Sequence, residues 1–174
     1  MTRLGPLMRE RATEAATLIP GARDTVERLR GTGFKIASST GYTREMMAPV
    51  LARAAAQGYA PDHVTCSGET PAGRPTPLMI YKACAELGIW PLSRVVKVDD
   101  AESGIAEGKS AGAFTVGVSS GNTVGLSLDE WRVLSSQERT AYLEASERLL
   151  GAAGADLVIE SIADLIPALQ RYSL

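Results

Sequence analysis

Three short stretches of this 174-residue chain carry side chains suited to chemistry on an anion. The first is Ser38-Ser39-Thr40-Gly41, where an apolar run meets a helix start at Thr43. A strand that ends in Thr-Gly and opens a helix makes an anion site. The glycine lets the backbone approach closely, the first turn presents free N–H groups, and the hydroxyl donates one more bond. The same four residues also read as a polar turn with an ordinary cap. The second stretch is Asp99-Asp100, after the apolar run 95–98. Carboxylates at a strand end are hard oxygen ligands suited to Mg²⁺, which keeps several waters and shares a substrate phosphate. An Asx turn or a helix N-cap would use the same residues. The third is Arg74, inside a loop dense in Gly and Pro at 68–75. A fixed guanidinium pairs bidentately with a phosphoryl or phosphonyl group, whereas alone it reads as a solvated loop arginine. An anion site, a loop cation and a carboxylate metal site are the parts of phosphoryl-type transfer, where catalysis is positioning and charge stabilisation.

The elements that must position these residues follow from periodicity. A short helix is expected over 1–19, broken by Pro20-Gly21. Ala22, Val26 and Leu29 recur at helical spacing up to Gly31 and Gly33. The run 34–39 reads as a strand. A helix follows from Thr43, with Met47, Val50, Leu51 and Ala54 on one face, and Pro49 inside it predicts a kink or a late start. A strand over 63–67 leads into the Arg74 loop, and Thr76-Pro77 predicts a cap and first turn for a helix ending at Gly88. Strand 95–98, a helix closing at Gly112, strand 114–118 and a polar loop over 119–125 come next. Ser127-x-x-Glu130 and Ser135-x-x-Glu138 are capping boxes, the second opening a helix to about Leu150. Strand 157–159 and a helix capped by Ser161 finish the chain. Alternating strands and helices predict an α/β fold: a Rossmann-like, mostly parallel sheet with helices on both faces. Ligands in such sheets bind at the carboxyl ends of strands, where Thr40-Gly41 and Asp99-Asp100 sit.

Bulk properties exclude several classes. With 45% apolar and 22% charged residues the composition is globular, and a net charge of −2 leaves no basic footprint for nucleic acid. No apolar run is long enough for a membrane span, and no apolar signal core precedes the first helix. Cys66 and Cys84 have neither metal nor disulfide spacing and read as reduced core thiols, which places the chain in the cytoplasm. The single histidine, His63, reads as structural.

Ser-Ser-Thr-Gly-Tyr-Thr-Arg-Glu-Met-Met at 38–47, Pro-Ala-Gly-Arg-Pro at 71–75 with Met79-Ile80-Tyr81, and Lys-Val-Asp-Asp at 97–100 carry a resemblance. They are similar to the phosphonoacetaldehyde hydrolases, or phosphonatases, of the haloacid dehalogenase superfamily. Ala-Gly-Ala-Phe-Thr-Val-Gly-Val at 111–118 and the segment 125–130 extend the likeness over nearly the whole chain. The resemblance implies an Mg²⁺-dependent hydrolase that cleaves the carbon–phosphorus bond of phosphonoacetaldehyde, giving acetaldehyde and phosphate. In that family a cap-domain lysine forms a Schiff base with the aldehyde and a core aspartate attacks phosphorus. Carried over, Thr40 binds the phosphonyl group, Gly41 supplies backbone donors and Arg74 is the active-site cation. Asp100 is then the metal carboxylate, with Asp99 beside it, and Tyr42 lines the site near the aldehyde.

Two departures shape the expectation. Some superfamily members carry a second acid four residues after the metal aspartate, and here that position is Gly104, so Asp99, Glu102 or water must complete the shell. The family also opens with a strand ending in Asp-x-Ala-Gly-Thr, followed by a cap domain with the lysine. Residues 1–19 resemble only the last cap helix, and 20–174 the core. Lys35, Lys82, Lys97 and Lys109 fall in core segments and do not match the cap lysine. The expectation is therefore a haloacid dehalogenase core without the first central strand and most of the cap, inactive as a fragment, with a homodimer possible by family. A non-catalytic remnant that binds phosphate or Mg²⁺ and a general phosphatase of the superfamily are the alternatives.

Overall fold

The structure, a computed structural model, describes residues 16–121 and 125–172. The helix expected over 1–19 lies outside these residues except for 16–19, which have no regular secondary structure. The loop expected over 119–125 is described only at its two ends. The described elements are α1 (Ala22–Gly31), β1 (Ala37–Thr40), α2 (Arg44–Ala56), β2 (His63–Cys66) and α3 (Leu78–Leu87). They continue with β3 (Val96–Asp99), α4 (Glu102–Ala111), β4 (Phe114–Val118), α5 (Leu128–Val133), α6 (Ser136–Ala152), β5 (Leu157–Ile159) and α7 (Leu165–Arg171).

Every strand pair is parallel, and helices link the paired strands, as parallel pairing requires. β1 lies on β2 with Ala37 opposite His63 and Thr40 opposite Cys66. β3 pairs with β4 and β4 with β5. The strands form two parallel sheets, β1-β2 and β3-β4-β5, with the break between β1 and β3, where the sequence leads to the expectation of a core without its first central strand. No described strand lies between β1 and β3. The edges they leave free bound a cleft of about 990 Å³, whose lining includes Ser38, Ser39, Lys97, Val98, Asp99 and Asp100. The cleft explains a burial pattern that the apolar runs hide. Val116 and Val118 on β4 are buried, whereas Val96 and Val98 on β3 are only half-buried.

The main core gathers Val116, Val118, Ile159, Leu165, Ala168 and Leu169. Fully burying side chains of this kind contributes roughly 1.5–3 kcal/mol each for the larger ones. A smaller cluster of Ile80, Cys84 and Ala111 joins α3 to α4. Both cysteines are free and buried, as expected. The helix starts follow the sequence closely where side-chain caps set them. Ser127 and Ser135 each form a complete capping box with Glu130 and Glu138. Ser161 does the same with Asp164 over a 3-10 turn, after which α7 begins.

Two boundaries, at β1 and α3, differ for physical reasons. β1 begins at Ala37, not Phe34, because the Phe34 N–H donates to Leu29 O and belongs to the exit of α1. α2 starts on time at Arg44, capped by Thr43, and runs through Pro49. α3 begins at Leu78, because the Thr76 hydroxyl donates to Gly73 O (2.8 Å) and Ala72 O (3.2 Å) and does not cap the helix.

Candidate active site

The carboxyl ends of β1 and β3 carry the expected residues. At the end of β1, Thr40 Oγ1 accepts the N–H of Tyr42 (3.2 Å), which closes the turn and leaves the hydroxyl proton to donate elsewhere. Gly41 has open space where a side chain would stand. Tyr42 is exposed, and its carbonyl accepts the N–H of Ser67, which ties the turn to the exit of β2. His63 is structural, with Nε2 3.1 Å from Thr65 Oγ1.

The loop that brings Arg74 to this end is fixed by Glu69. Its carboxylate accepts Arg44 Nε (2.7 Å), Arg44 Nη2 (2.8 Å) and the Cys66 N–H (2.9 Å). These bonds, the Arg44 pairing first, lower the Glu69 pKa from 4.5 to about 2. A folded-state pKa below the unfolded value adds stability above the unfolded pKa and loses it as pH falls through the folded one. Acid titration from pH 5 to 2 is therefore expected to destabilise the native chain more than the Glu69→Gln variant, in unfolding followed by circular dichroism. Parallel pH curves would remove Glu69 from the acid response.

Arg74 reaches across to the last residues of β1 and β3. Its Nη2 donates to Ser39 O (2.8 Å) and Ser39 Oγ (3.2 Å), and lies 3.2 Å from Asp99 Oδ2. Its Nε is 3.2 Å from Glu107 Oε2 without forming a hydrogen bond. Lys97 joins the same group. Its Nζ is 2.9 Å from Ser39 Oγ, 2.9 Å from Asp99 Oδ2 and 3.0 Å from Glu107 Oε2. Two cations and two carboxylates thus balance around Ser39.

Asp99 is fully committed. One oxygen meets Arg74 and Lys97, and the other accepts the Ala101 N–H (3.1 Å) as in an Asx turn. A Cβ on Gly104 would fall 2.0 Å from Asp99 Cγ, so the Asp99 carboxylate occupies the space that a side chain at 104 would need. Asp100 also lines the cleft and packs on Gly121, where a Cβ would fall 2.2 Å from its own. The described residues contain no group of three or more His, Cys, Asp or Glu side chains placed to hold a metal. A magnesium ion fits this donor set only in its usual sparse mode, with one or two carboxylates plus water and substrate oxygens.

The structure therefore brings Arg74 and Asp99 into contact at the end of β1, with Thr40 and Gly41 following directly in the chain. Of the expected site residues only Asp99 and Asp100 line the cleft; Thr40, Gly41, Tyr42 and Arg74 are not among its lining residues. Sequence reasoning missed Lys97 and Glu107. Lys97 lies two residues before Asp99 on a strand, and so shares its face. Gly104, Glu107 and Gly108 lie on one face of α4 at i, i+3 and i+4, and that spacing was the available signal.

Comparison with known proteins places this geometry in context. A family model described as haloacid dehalogenase-like hydrolase matches residues 6–112. Phosphonoacetaldehyde hydrolase from Paraburkholderia xenovorans (strain LB400) is 46% identical over 157 residues, covering 90% of this chain and 59% of the relative. Phosphonoacetaldehyde hydrolase from Hahella chejuensis (strain KCTC 2396) is 42% identical over 168 residues, covering 96% and 57%. The crystal structure of a phosphonoacetaldehyde hydrolase-like protein from Oleispira antarctica superposes with a TM-score of 0.93 at 40% identity, over 96% of this chain and 61% of that one. The chain spans about three fifths of the length of the relatives it matches.

Proposed function

The chain belongs to the haloacid dehalogenase-like hydrolases, and from that premise we propose that it carries the phosphonyl- and metal-binding part of a phosphonoacetaldehyde hydrolase. Such an enzyme cleaves the carbon–phosphorus bond of phosphonoacetaldehyde to acetaldehyde and phosphate. The observation that carries this reading is the seating of Arg74 on Ser39, one residue before the Thr40-Gly41 turn. Arg74 offers donors in a planar fork to phosphonyl oxygens, Thr40 adds a hydroxyl, and the Gly41 turn into α2 leaves room for an anion at free N–H groups. Mg²⁺ supplied at Asp100 would neutralise charge on the phosphonyl oxygens. Asp99 holds Arg74 in place and is already saturated. The Ala-Gly-Arg-Pro stretch and the phosphonoacetaldehyde hydrolase relatives favour this reading over a general phosphatase. No helix among the described residues is long and apolar enough to cross a membrane.

The test is thermal unfolding with Mg²⁺ and a non-hydrolysable phosphonate. A ligand at about 100 times its Kd stabilises the folded state by about 2.7 kcal/mol, so saturation is visible as a raised Tm. Asp100→Asn is expected to abolish the Mg²⁺ part of the shift, and Asp99→Asn to lower the starting Tm while keeping it. The reverse pattern would move the metal to Asp99. No shift with either ligand would end the proposal.

A further inference from the structure

We propose that Lys97 is a second cation of the anion site, in direct contact with the bound phosphoryl or phosphonyl group, and that Glu107 is the positioning residue that holds Lys97 and Arg74 on Ser39. This deepens the reading above and rests on it. Lys97 lines the same cleft as Ser39, Asp99 and Asp100 and is largely buried. Its ammonium and the Arg74 guanidinium converge on one atom, Ser39 Oγ, next to Thr40.

α4 is shaped to admit this pair. A Cβ on Gly108 would lie 2.8 Å from Lys97 Cγ and 2.9 Å from its Cβ, and the space over Gly104 belongs to Asp99. Between those glycines stands Glu107, fully buried. Its Oε2 is shared by Ser39, Arg74 and Lys97, while Oε1 is buried without a hydrogen-bond partner. A buried carboxylate with an orphaned oxygen is costly, and the two cations it holds offset that cost. The cluster is neutral without ligand. An incoming dianion takes over part of the role of the carboxylates, and Lys97 and Arg74 turn their donors to it.

The probe is inorganic phosphate, titrated by calorimetry into the full 174-residue chain. Arg74→Ala and Lys97→Met are each expected to weaken binding at least about tenfold, the scale of one lost charge-assisted bond. Lys97→Arg keeps the charge and is expected to bind within about threefold of the parent. In the unaltered chain, phosphate is expected to shift the Lys97 Cε carbon resonance, a readout that needs no variant. Glu107→Gln is expected to lower the Tm without phosphate and to enlarge the Tm rise that phosphate gives, because the anion replaces the missing charge. A merely structural Glu107 would lower the Tm and leave the phosphate rise unchanged, which overturns its positioning role. If Arg74→Ala weakens phosphate while Lys97→Met does not and the Lys97 resonance stays still, the Lys97 inference is wrong and the anion site stands. If neither variant changes the affinity, the anion reading itself has failed.

Discussion

A polypeptide of these 174 residues is expected to release acetaldehyde from phosphonoacetaldehyde no faster than background. Supplying the part of the Paraburkholderia xenovorans relative that it does not cover is expected to restore turnover. The proposed chemistry needs a carboxylate to take the phosphoryl group and an amine to make carbon a leaving group. At the described strand ends, Asp99 is saturated by Arg74, Lys97 and the Ala101 N–H, and Asp100 is the carboxylate proposed for the metal. Of the described lysines, Lys82 lies near Glu69 and Lys109 on Asp156, while Lys97 is the cation assigned above to the bound anion. Lys35 is exposed, in the segment before β1. The electrostatic groups that remain can bind a phosphoryl or phosphonyl group without breaking its bond.

Geometry points the same way. β1 and β3 present free edges to one cleft. Free central edges also invite association between chains, so low solubility is expected of the short polypeptide, with improvement on complementation. Acetaldehyde release measured with and without the added segment decides the matter. Turnover of about 1 s⁻¹ or more by the 174 residues alone would mean that they hold a nucleophile of their own.

Gly104→Ala is expected to destabilise the fold by about 1–3 kcal/mol, the usual cost of overpacking, although Gly→Ala in an open helix stabilises by up to about 1 kcal/mol. The reversal follows from one contact. The new methyl would stand 2.0 Å from Asp99 Cγ, and Asp99 cannot retreat without releasing Arg74 and Lys97. Gly104→Asp is expected to cost more, because it adds a second carboxylate beside the first. Gly151, on α6, has nothing within 4 Å of a built Cβ, so Gly151→Ala is the control and is expected to be neutral or stabilising. Urea unfolding of Gly104→Ala, Asp99→Ala and the double variant should give a coupling of about 1 kcal/mol or more. Additive effects, or a stabilising Gly104→Ala, would show that Asp99 does not fill that space.

Much of this was legible in the sequence, for identifiable reasons. Capping boxes at Ser127 and Ser135 are local hydrogen-bond patterns, so two helix starts could be read to the residue. The placement of Thr40 and Asp99 at the carboxyl ends of β1 and β3 was legible because alternating strands and helices put the polar residues after each apolar run there. The break between the two sheets was legible only through the resemblance, which puts a central strand between β1 and β3; periodicity alone does not show it, because an apolar run such as 95–98 looks the same beside a strand or beside a cleft. Lys97 escaped for a related reason. A lysine inside a strand reads as a misfit until Ser39, Asp99 and Glu107, from three separate elements, are seen around it. Gly104 looked like a missing ligand because sequence shows what a residue lacks and not what occupies the space.

The glycines of α4 also bear on how the chain reaches its native state. Two glycines in a ten-residue helix each cost about 1 kcal/mol relative to alanine, so Glu102–Ala111 has little tendency to form by itself. What holds it is its seat over Lys97, Asp99 and Thr115 on β3 and β4. The helix is therefore expected to form after those strands have paired, outside the folding nucleus, and Gly104→Ala is then expected to change the unfolding rate and leave the folding rate nearly constant in stopped-flow kinetics. Ordering of this helix and completion of the charge cluster are then expected to be one kinetic event.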